Sequence, residues 1–407
     1  MESLLGHIRV LELSRILAGP WAGQLLVDFG AEVIKVERPV RGDDTRHWGP
    51  PFLQDEQGRD TTESAYFLSA NRGKKSVTID IRTEQGQKII QDLVTQSDVL
   101  IENYKVGALK KYNLDYASIN ALNPRIVYCS ITGFGQTGPY ATHAGYDFVL
   151  QGMGGLMSVT GAADNQPGGG PQKVGVAITD ILTGMYAATA IQAALIERDK
   201  SGQGQYIDLA LFDVQLATLA NQAMNYLIGG QVPSRLGNAH PNIVPYQSFA
   251  TQDGHIILAV GNDSQFKQFC EVVACPSLAG DLRFASNQAR VENRPILCQK
   301  ISDILIKNSS AYWLTLFERK GIPCGPINNI KQAFDEPQAK HRSAVSMLSH
   351  PYNDELPTVA NPVKFSRTPI CHGIAPPLLG ADVDCVLGSV LGYSKEKISI
   401  LRKQKVI

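Results

Sequence analysis

A chain of 407 residues with 43% hydrophobic content can bury a large core, and its length suits two domains. Its 38 basic and 38 acidic residues cancel, which argues against nucleic acid or a membrane surface as a partner, since such proteins carry an excess of Lys and Arg. The seven cysteines, at 129, 270, 275, 298, 324, 371 and 385, form no CxxC pair and accompany no His cluster, so a reduced cytoplasmic protein without structural zinc or another metal site is expected.

The N-terminal stretch MESLLGHIRVLELSR moves straight into a strand pattern, with no basic region followed by a long apolar one, which argues against secretion. Strands are predicted at 8–13 (IRVLEL), 32–37 (EVIKVE), 76–81 (SVTIDI), 98–103 (DVLIEN) and 125–131 (RIVYCSI). WAGQLLVDF, EQGQKIIQDLVTQ and DYASINAL between them read as helices. This alternation implies βαβ units around a largely parallel sheet, an α/β architecture. GFGQTG (133–138) is a literal GxGxxG after a strand, but Pro139 and YATHAGYDF follow where a phosphate-binding helix would have to begin, so the glycines read as a tight loop. No GxSxG or GxxxxGK[ST] occurs. Tyr146 and Asp147 then precede a Gly-rich segment.

The run PQKVGVAITDILTGMYAATAIQAALIER (171–198) places one carboxylate, Asp180, among small and apolar residues. A membrane span is argued against by Thr179, Thr183, Thr189 and Gln192, which dilute the segment. Asp180 sits instead at or beside the start of a buried helix, where capping alone would explain it. The positive end of that helix would also keep a carboxylate ionised and nucleophilic. After this helix, YIDLALF reads as a further strand and 228–245 as a Gly/Pro-containing boundary. HIILAVG, SQFKQFCEVV and AYWLTLFERK then suggest a smaller α+β domain, followed by a Pro-rich, weakly periodic tail. Arg38, Arg82 and Lys105 each lie just past a strand end, at the edge where an open α/β sheet binds its ligand, which favours a phosphate-bearing ligand.

These pieces, RVLELSRILAGPWAGQLLVDFGAEVIKVERP, GDDTRHWGPPF, NRGKKSVTIDI, DVLIENY, SITGFGQTGPY, AGYDFVLQGMGGLM, VGVAITDILTGMYA, GNAHPNIVPYQSF and GIPCGPINN, resemble the class III CoA-transferases, the formyl-CoA transferase/carnitine-CoA transferase family. They span positions 9 to about 330 in that family's order, with wording nearest the succinate–hydroxymethylglutarate (glutarate) branch. The resemblance implies that Asp180 is the nucleophile, forming first an acyl anhydride and then an aspartyl-CoA thioester. It places coenzyme A, a substrate and not a permanently bound cofactor, against Leu17, Ala18, Arg38, Ile79, Arg82, Asn103, Tyr104, Lys105 and Lys111. Tyr146 would line the acyl site. Arg46, Arg235, Asn238 and His240 are the expected ligands of a dicarboxylic acceptor's remote carboxylate. The implied fold is a Rossmann-like large domain (1–225), a smaller α+β domain (226–330) and a C-terminal segment (331–407) returning to the large domain, in an interlocked homodimer.

Leu17 stands where the oxalate-using branch has Gln, and GNAHPN where it has four glycines, which argues against a formyl-CoA:oxalate-type transferase. A 2-methylacyl-CoA racemase on the same fold would need His where Tyr146 stands, and a Tyr is a poor base at neutral pH. A non-catalytic CoA-binding protein would have no use for Asp180.

Overall fold

The apolar runs of the first half form one parallel sheet in this computed structural model, which describes residues 3–370 and 373–407; Cys371 lies outside them. Its strands are β1 (Arg9–Glu12), β2 (Glu32–Glu37), β3 (Lys75–Thr78), β4 (Val99–Glu102), β5 (Val127–Thr132) and β6 (Tyr206–Ala210). They lie in the order β3-β2-β1-β4-β5-β6. Every neighbouring pair is parallel. The order reverses between β1 and β4, so a crevice opens at the carboxyl ends of those two strands.

The helices that cover the sheet include α1 (Ala18–Asp28), α2 (Glu84–Thr95), α3 (Asp147–Met153), α4 (Ile178–Ser201) and α5 (Leu211–Ala217). Alternate strand residues feed two cores. Val10, Val33, Val99 and Val127 meet α1 and the Ala187, Ile191 and Leu195 stripe of α4 on one face. Leu11, Ile34, Val77 and Leu100 meet α2 and two C-terminal helices, Val383–Ser389 and Lys395–Lys403, on the other. The Thr83 hydroxyl accepts the Gly86 N–H at 2.9 Å and starts α2, and Gly202, at φ 76°, ends α4. Gly184 lets α4 lie close on α1. A Cβ there would stand 2.7 Å from the Ala18 carbonyl oxygen and 2.9 Å from Trp21 Cβ.

The chain divides into two units, Met1–Gly154 with Gly175–Thr218 and Pro337–Ile407, and Gly155–Val174 with Leu219–Glu336. Gly155–Val174 thus groups with the second unit, where the sequence reading had it in the large domain. The cause is local: Gly237 N–H donates to the Gly161 carbonyl at 3.1 Å, and Arg235 Nη1 donates to the Ser158 carbonyl at 3.2 Å. The second unit has its own antiparallel sheet, Cys324–Pro326, His255–Ala259 and Tyr246–Ala250. Its core gathers Phe249, Phe266, Phe269, Trp313 and Phe317. Two sequence readings shift. The expected strand YIDLALF stops at Ala210, because Leu211, Val214 and Gln215 are buried on one side of α5. The weakly periodic tail contains a hairpin, Val345–His350 with Asn353–Val359, held by a small cluster around Leu348 and Leu356.

Beneath the crevice lies a buried set of charges. Lys35 Nζ is 3.0 Å from Glu12 Oε1 and 2.9 Å from Asp43 Oδ2, and it donates to the Ser14 carbonyl at 2.9 Å. Lys74 Nζ meets Glu12 Oε2 at 2.8 Å and donates to the Pro20 carbonyl. All four side chains are buried. Burial alone would lower the pKa of Lys35, but Asp43, Glu12 and Glu37 together push it above the ordinary lysine value. Burial wins at Lys74, which is held down to about 8. Breaking such a set from one side leaves a charge without a partner in a dry interior. Lys35→Met is therefore expected to cost about 3–5 kcal/mol in denaturant unfolding, whereas Lys88→Met, at an exposed pair with Asp92, should leave the midpoint in place.

Candidate active site

No side chain of the residue preceding α4, Ala177, caps that helix. The cap comes from another helix. Asp147, the first residue of α3, accepts the N–H groups of Thr179 at 2.8 Å and of Asp180 at 3.2 Å through Oδ1. Its Oδ2 accepts from Gln151 Nε2 at 2.6 Å. The Thr179 hydroxyl donates to Gln215 Oε1 of α5 at 2.7 Å. Two helices, α3 and α5, thus fix the first turn of α4, and Asp180 is its third residue.

The Asp180 carboxylate itself accepts no hydrogen bond from any described residue. Burial, and then the charge of Asp147, push its pKa up to about 7. This corrects the expectation that the helix start keeps Asp180 ionised. The N–H groups of Thr179 and Asp180 are spent on Asp147 and that of Ile178 on the Val176 carbonyl, so Asp180 has the helix's position without its donors.

Asp180 opens into a cavity of about 430 Å³ whose lining lies wholly in the first unit. One wall is the turn after β1. There the Arg15 N–H donates to Asn103 Oδ1 at 3.0 Å, and Asn103 Nδ2 donates back to the Arg15 carbonyl at 2.7 Å. Ile16 follows at φ 72°, a left-handed conformation strained for a β-branched residue. Its N–H donates to the buried Asp43 carboxylate at 3.2 Å. The opposite wall comes from two loops that cross at glycines. A Cβ on Gly133 would fall 2.6 Å from the Gly145 Cα, and one on Gly145 would fall 2.4 Å from the Gly133 Cα. The GFGQTG stretch is accordingly a loop, closed by Gly135 N–H to Thr132 Oγ1 at 2.9 Å, and no helix follows it directly.

Of the expected site residues, Leu17, Ala18, Asn103, Tyr104, Lys105 and Tyr146 line this cavity with Asp180. Arg38 borders a smaller pocket beside it, and its Nη2 donates to Asp44 Oδ1 at 2.6 Å. Ile79 is buried, with its N–H donated to the Glu37 carbonyl. Arg82 is paired with Asp80 at 2.8 Å, and Lys111 Nζ stands 4.7 Å over the Tyr112 ring. None of these three borders the cavity. Arg46 is a correction. Its guanidinium is bidentate to Glu37, both contacts at 2.8 Å, and meets Glu63 at 3.0 Å and the Pro377 carbonyl at 3.0 Å. A buried guanidinium so occupied has no face left for an acceptor, and Arg46 is withdrawn as a ligand. Arg235, Asn238 and His240 belong to the second unit. There Arg235 is paired with Asp164, Asn238 Nδ2 donates to the Ser248 hydroxyl at 2.9 Å, and His240 Nδ1 accepts the Asn242 N–H at 3.1 Å.

Sequence reasoning missed Arg15, Asp44, Trp48 and His143, which also line the cavity. Arg15 carried a usable signal, since it lies just past a strand end as Arg38 does. The six described cysteines are free, and no group of three or more described His, Cys, Asp or Glu residues could hold a metal ion.

Comparison with known proteins agrees with this geometry. The profile of a family described as CoA-transferase family III matches residues 5–383. The chain is 51% identical over 376 residues to a succinate–glutarate CoA-transferase of Agrobacterium fabrum, covering 92% of this chain and 93% of that one. It is 44% identical over 400 residues to the human succinyl-CoA:glutarate CoA-transferase, covering 98% and 89%. The crystal structure of a CaiB/BaiF family protein from Brucella suis superposes with a TM-score of 0.84 at 47% identity, covering 96% of this chain and 100% of that one. A parallel-sheet scaffold with a carboxylate at its crevice, matched along nearly its whole length by such relatives, identifies the chain as a member of CoA-transferase family III, the class III CoA-transferases.

Proposed function

We propose that this enzyme moves coenzyme A between an acyl-CoA and a free dicarboxylic acid of the succinate–glutarate type, with Asp180 as the covalent carrier. One observation carries the reading: of the two carboxylates that line the cavity, Asp44 is paired with arginines and Asp180 accepts no hydrogen bond from any described residue, in a family that transfers CoA. The similarity to proteins named for succinate and glutarate supports the substrate class.

The cycle balances without a further reactant. An Asp180 oxygen attacks the thioester carbonyl carbon, the C–S bond breaks, and CoA thiolate leaves behind an aspartyl–acyl anhydride. The thiolate then attacks the Asp180 carbonyl carbon, and the acyl group departs as its free acid. The acceptor carboxylate attacks the resulting aspartyl-CoA thioester to form a second anhydride, and the expelled thiolate takes the new acyl group. A carboxylate suits this exchange because its adducts keep the transfer potential of the thioester. The absence of hydrogen bonds to Asp180 from the described residues leaves both its oxygens available. No permanently bound cofactor enters this scheme.

We place the enzyme in the cytoplasm as a homodimer. Six free cysteines fit a reducing compartment, and no helix among the described residues is long and apolar enough to cross a membrane. Each unit also exposes large apolar side chains. Ile196 and Met185 lie open on α4, and Leu227 and Ile228, 70% and 80% exposed, lie open in the second unit. Such surfaces ask for cover, and the interlocking expected from the resemblance would provide it. Light scattering is expected to give twice the 44.2 kDa chain mass; a 44.2 kDa particle would refute the dimer.

Asp180→Asn is expected to keep CoA binding while lowering kcat by more than about a thousandfold, about 4 kcal/mol, after deamidation is excluded by mass. The same variant should melt at a higher temperature than wild type. An Asp whose folded pKa lies above its unfolded value destabilises the fold when ionised. The advantage of the Asn variant is therefore greatest above pH 7 and shrinks as the pH falls through about 7.

The reactive form of Asp180 is the carboxylate, which is lost as pH falls through about 7. The kcat/KM for acyl-CoA is expected to drop on acidification, with an apparent pKa near that value. Asp147→Asn keeps an oxygen acceptor for the Thr179 and Asp180 N–H groups but removes a charge, so it should move this limb to lower pH. A limb that stays in place would separate Asp147 from the ionisation of Asp180.

A further inference from the structure

The cavity around Asp180 contains a guanidinium that the reaction scheme leaves unused. Arg15 is half-exposed, with 43% of its side chain open. Its Nη1 is bonded to Asp44 Oδ2, and Asp44 Oδ1 in turn accepts from Arg38 Nη2 at 2.6 Å. One carboxylate thus bridges two arginines at the cavity's edge, leaving the trio with one positive charge. The Arg15 Nε and Nη2 donors have no described partner, so the edge of the fork that suits a second carboxylate is vacant.

The backbone beneath this side chain is rigid. Asn103 binds the Arg15 peptide from both sides. The next residue, Ile16, is held at φ 72° by the Asp43 carboxylate, and Lys35 grips the Ser14 carbonyl. Strain of this kind persists where surrounding structure over-determines it, and it concentrates at ligand sites. The other two basic side chains on the cavity wall are less suited to the task. His143 is stacked on Tyr140 at 5.0 Å. Lys105 also borders a second pocket beside Glu102, and it offers a point charge where a planar fork would match a carboxylate.

We propose that Arg15 receives the remote carboxylate of the dicarboxylic substrate, with Asp44 holding the guanidinium in place, so that the proximal carboxylate faces Asp180. The proposal rests on the diacid reading given above and adds the residue that enforces it. A guanidinium edge that the bound diacid covers discriminates against an acid ending in a methyl group, which would leave that edge covered but unpaired.

The test compares glutarate with pentanoate as acceptors, and measures free CoA binding by calorimetry, in wild type, Arg15→Met and Arg15→Lys. Wild type is expected to prefer glutarate by at least about tenfold in kcat/KM. Arg15→Met should bring the two acids to within about threefold of each other, chiefly by raising KM for glutarate. Its Kd for CoA should stay within about twofold of wild type. Arg15→Lys should fall between. A preference that survives in Arg15→Met overturns the proposal while leaving the diacid reading intact. A Kd for CoA that rises as much as KM for glutarate overturns it too, by assigning Arg15 to a phosphate of the cofactor-substrate. Wild type that uses both acids equally removes the diacid reading itself, and the proposal with it. Should Arg15→Met fail to fold, Asp44→Ala decides: loss of the carboxylate that holds the guanidinium in place is expected to raise KM for glutarate several-fold and leave pentanoate unchanged, and equal effects on both acids overturn the assignment.

Discussion

Lys35 is the residue on which the site's architecture turns. It is a central-strand lysine with no exposed surface, and three groups satisfy it: Glu12 from β1, Asp43 from the loop after β2, and the Ser14 carbonyl. Each of those groups then does something else. Asp43 holds the Ile16 peptide and starts the short turn that carries Asp44 and Arg46. Glu12 binds Lys74, which reaches the Pro20 carbonyl in the first turn of α1. A buried ion cluster is poor value as pure stability, since an apolar replacement of similar shape is often as good. Here its donors and acceptors fix the backbone that forms one wall of the cavity. The cluster reads most simply as a device for holding a strained turn at the mouth of a parallel sheet.

The electrostatics of Asp180 follow a different logic. A carboxylate made comfortable by hydrogen bonds would be fully ionised at neutral pH but sluggish, because each donor must be given up or weakened when the oxygen forms a covalent bond. The structure assigns the donors of the α4 terminus to Asp147 and leaves Asp180 bare. The cost is a raised pKa and a fold burdened by a poorly solvated charge. What is left is a carboxylate with both oxygens free, in a helix turn that α3 and α5 hold still.

The sheet was largely readable from the sequence. The strand runs at 8–13, 32–37, 98–103 and 125–131 correspond to β1, β2, β4 and β5, because buried parallel strands are continuous apolar stretches with clear ends. Asp180 was legible for the same reason: a lone acid in an apolar run is conspicuous. The partners of charged side chains were not. Arg46 and Arg15 are both arginines just beyond a strand, and nothing in their local sequence tells that one is closed in by Glu37 and Glu63 while the other keeps a free edge. Pairing across 9 to 29 residues depends on loop paths, which periodicity does not encode. The tail hairpin escaped for a related reason. Its two strands gain only Leu348 and Leu356 as buried apolar residues, too few to leave a pattern.

The crossing of Gly133 over Gly145 carries a consequence for how the family's sequences can drift. At most packed contacts a bulky substitution on one side can be offset by a smaller residue on the other, so the two positions change together through a tolerated intermediate. Here neither partner has anything to give up, since each is already a glycine and the obstruction is main chain. A side chain gained at either position therefore has no compensating change at the other, and revertants selected against such a lesion would have to restore the glycine itself or re-route one of the two loops.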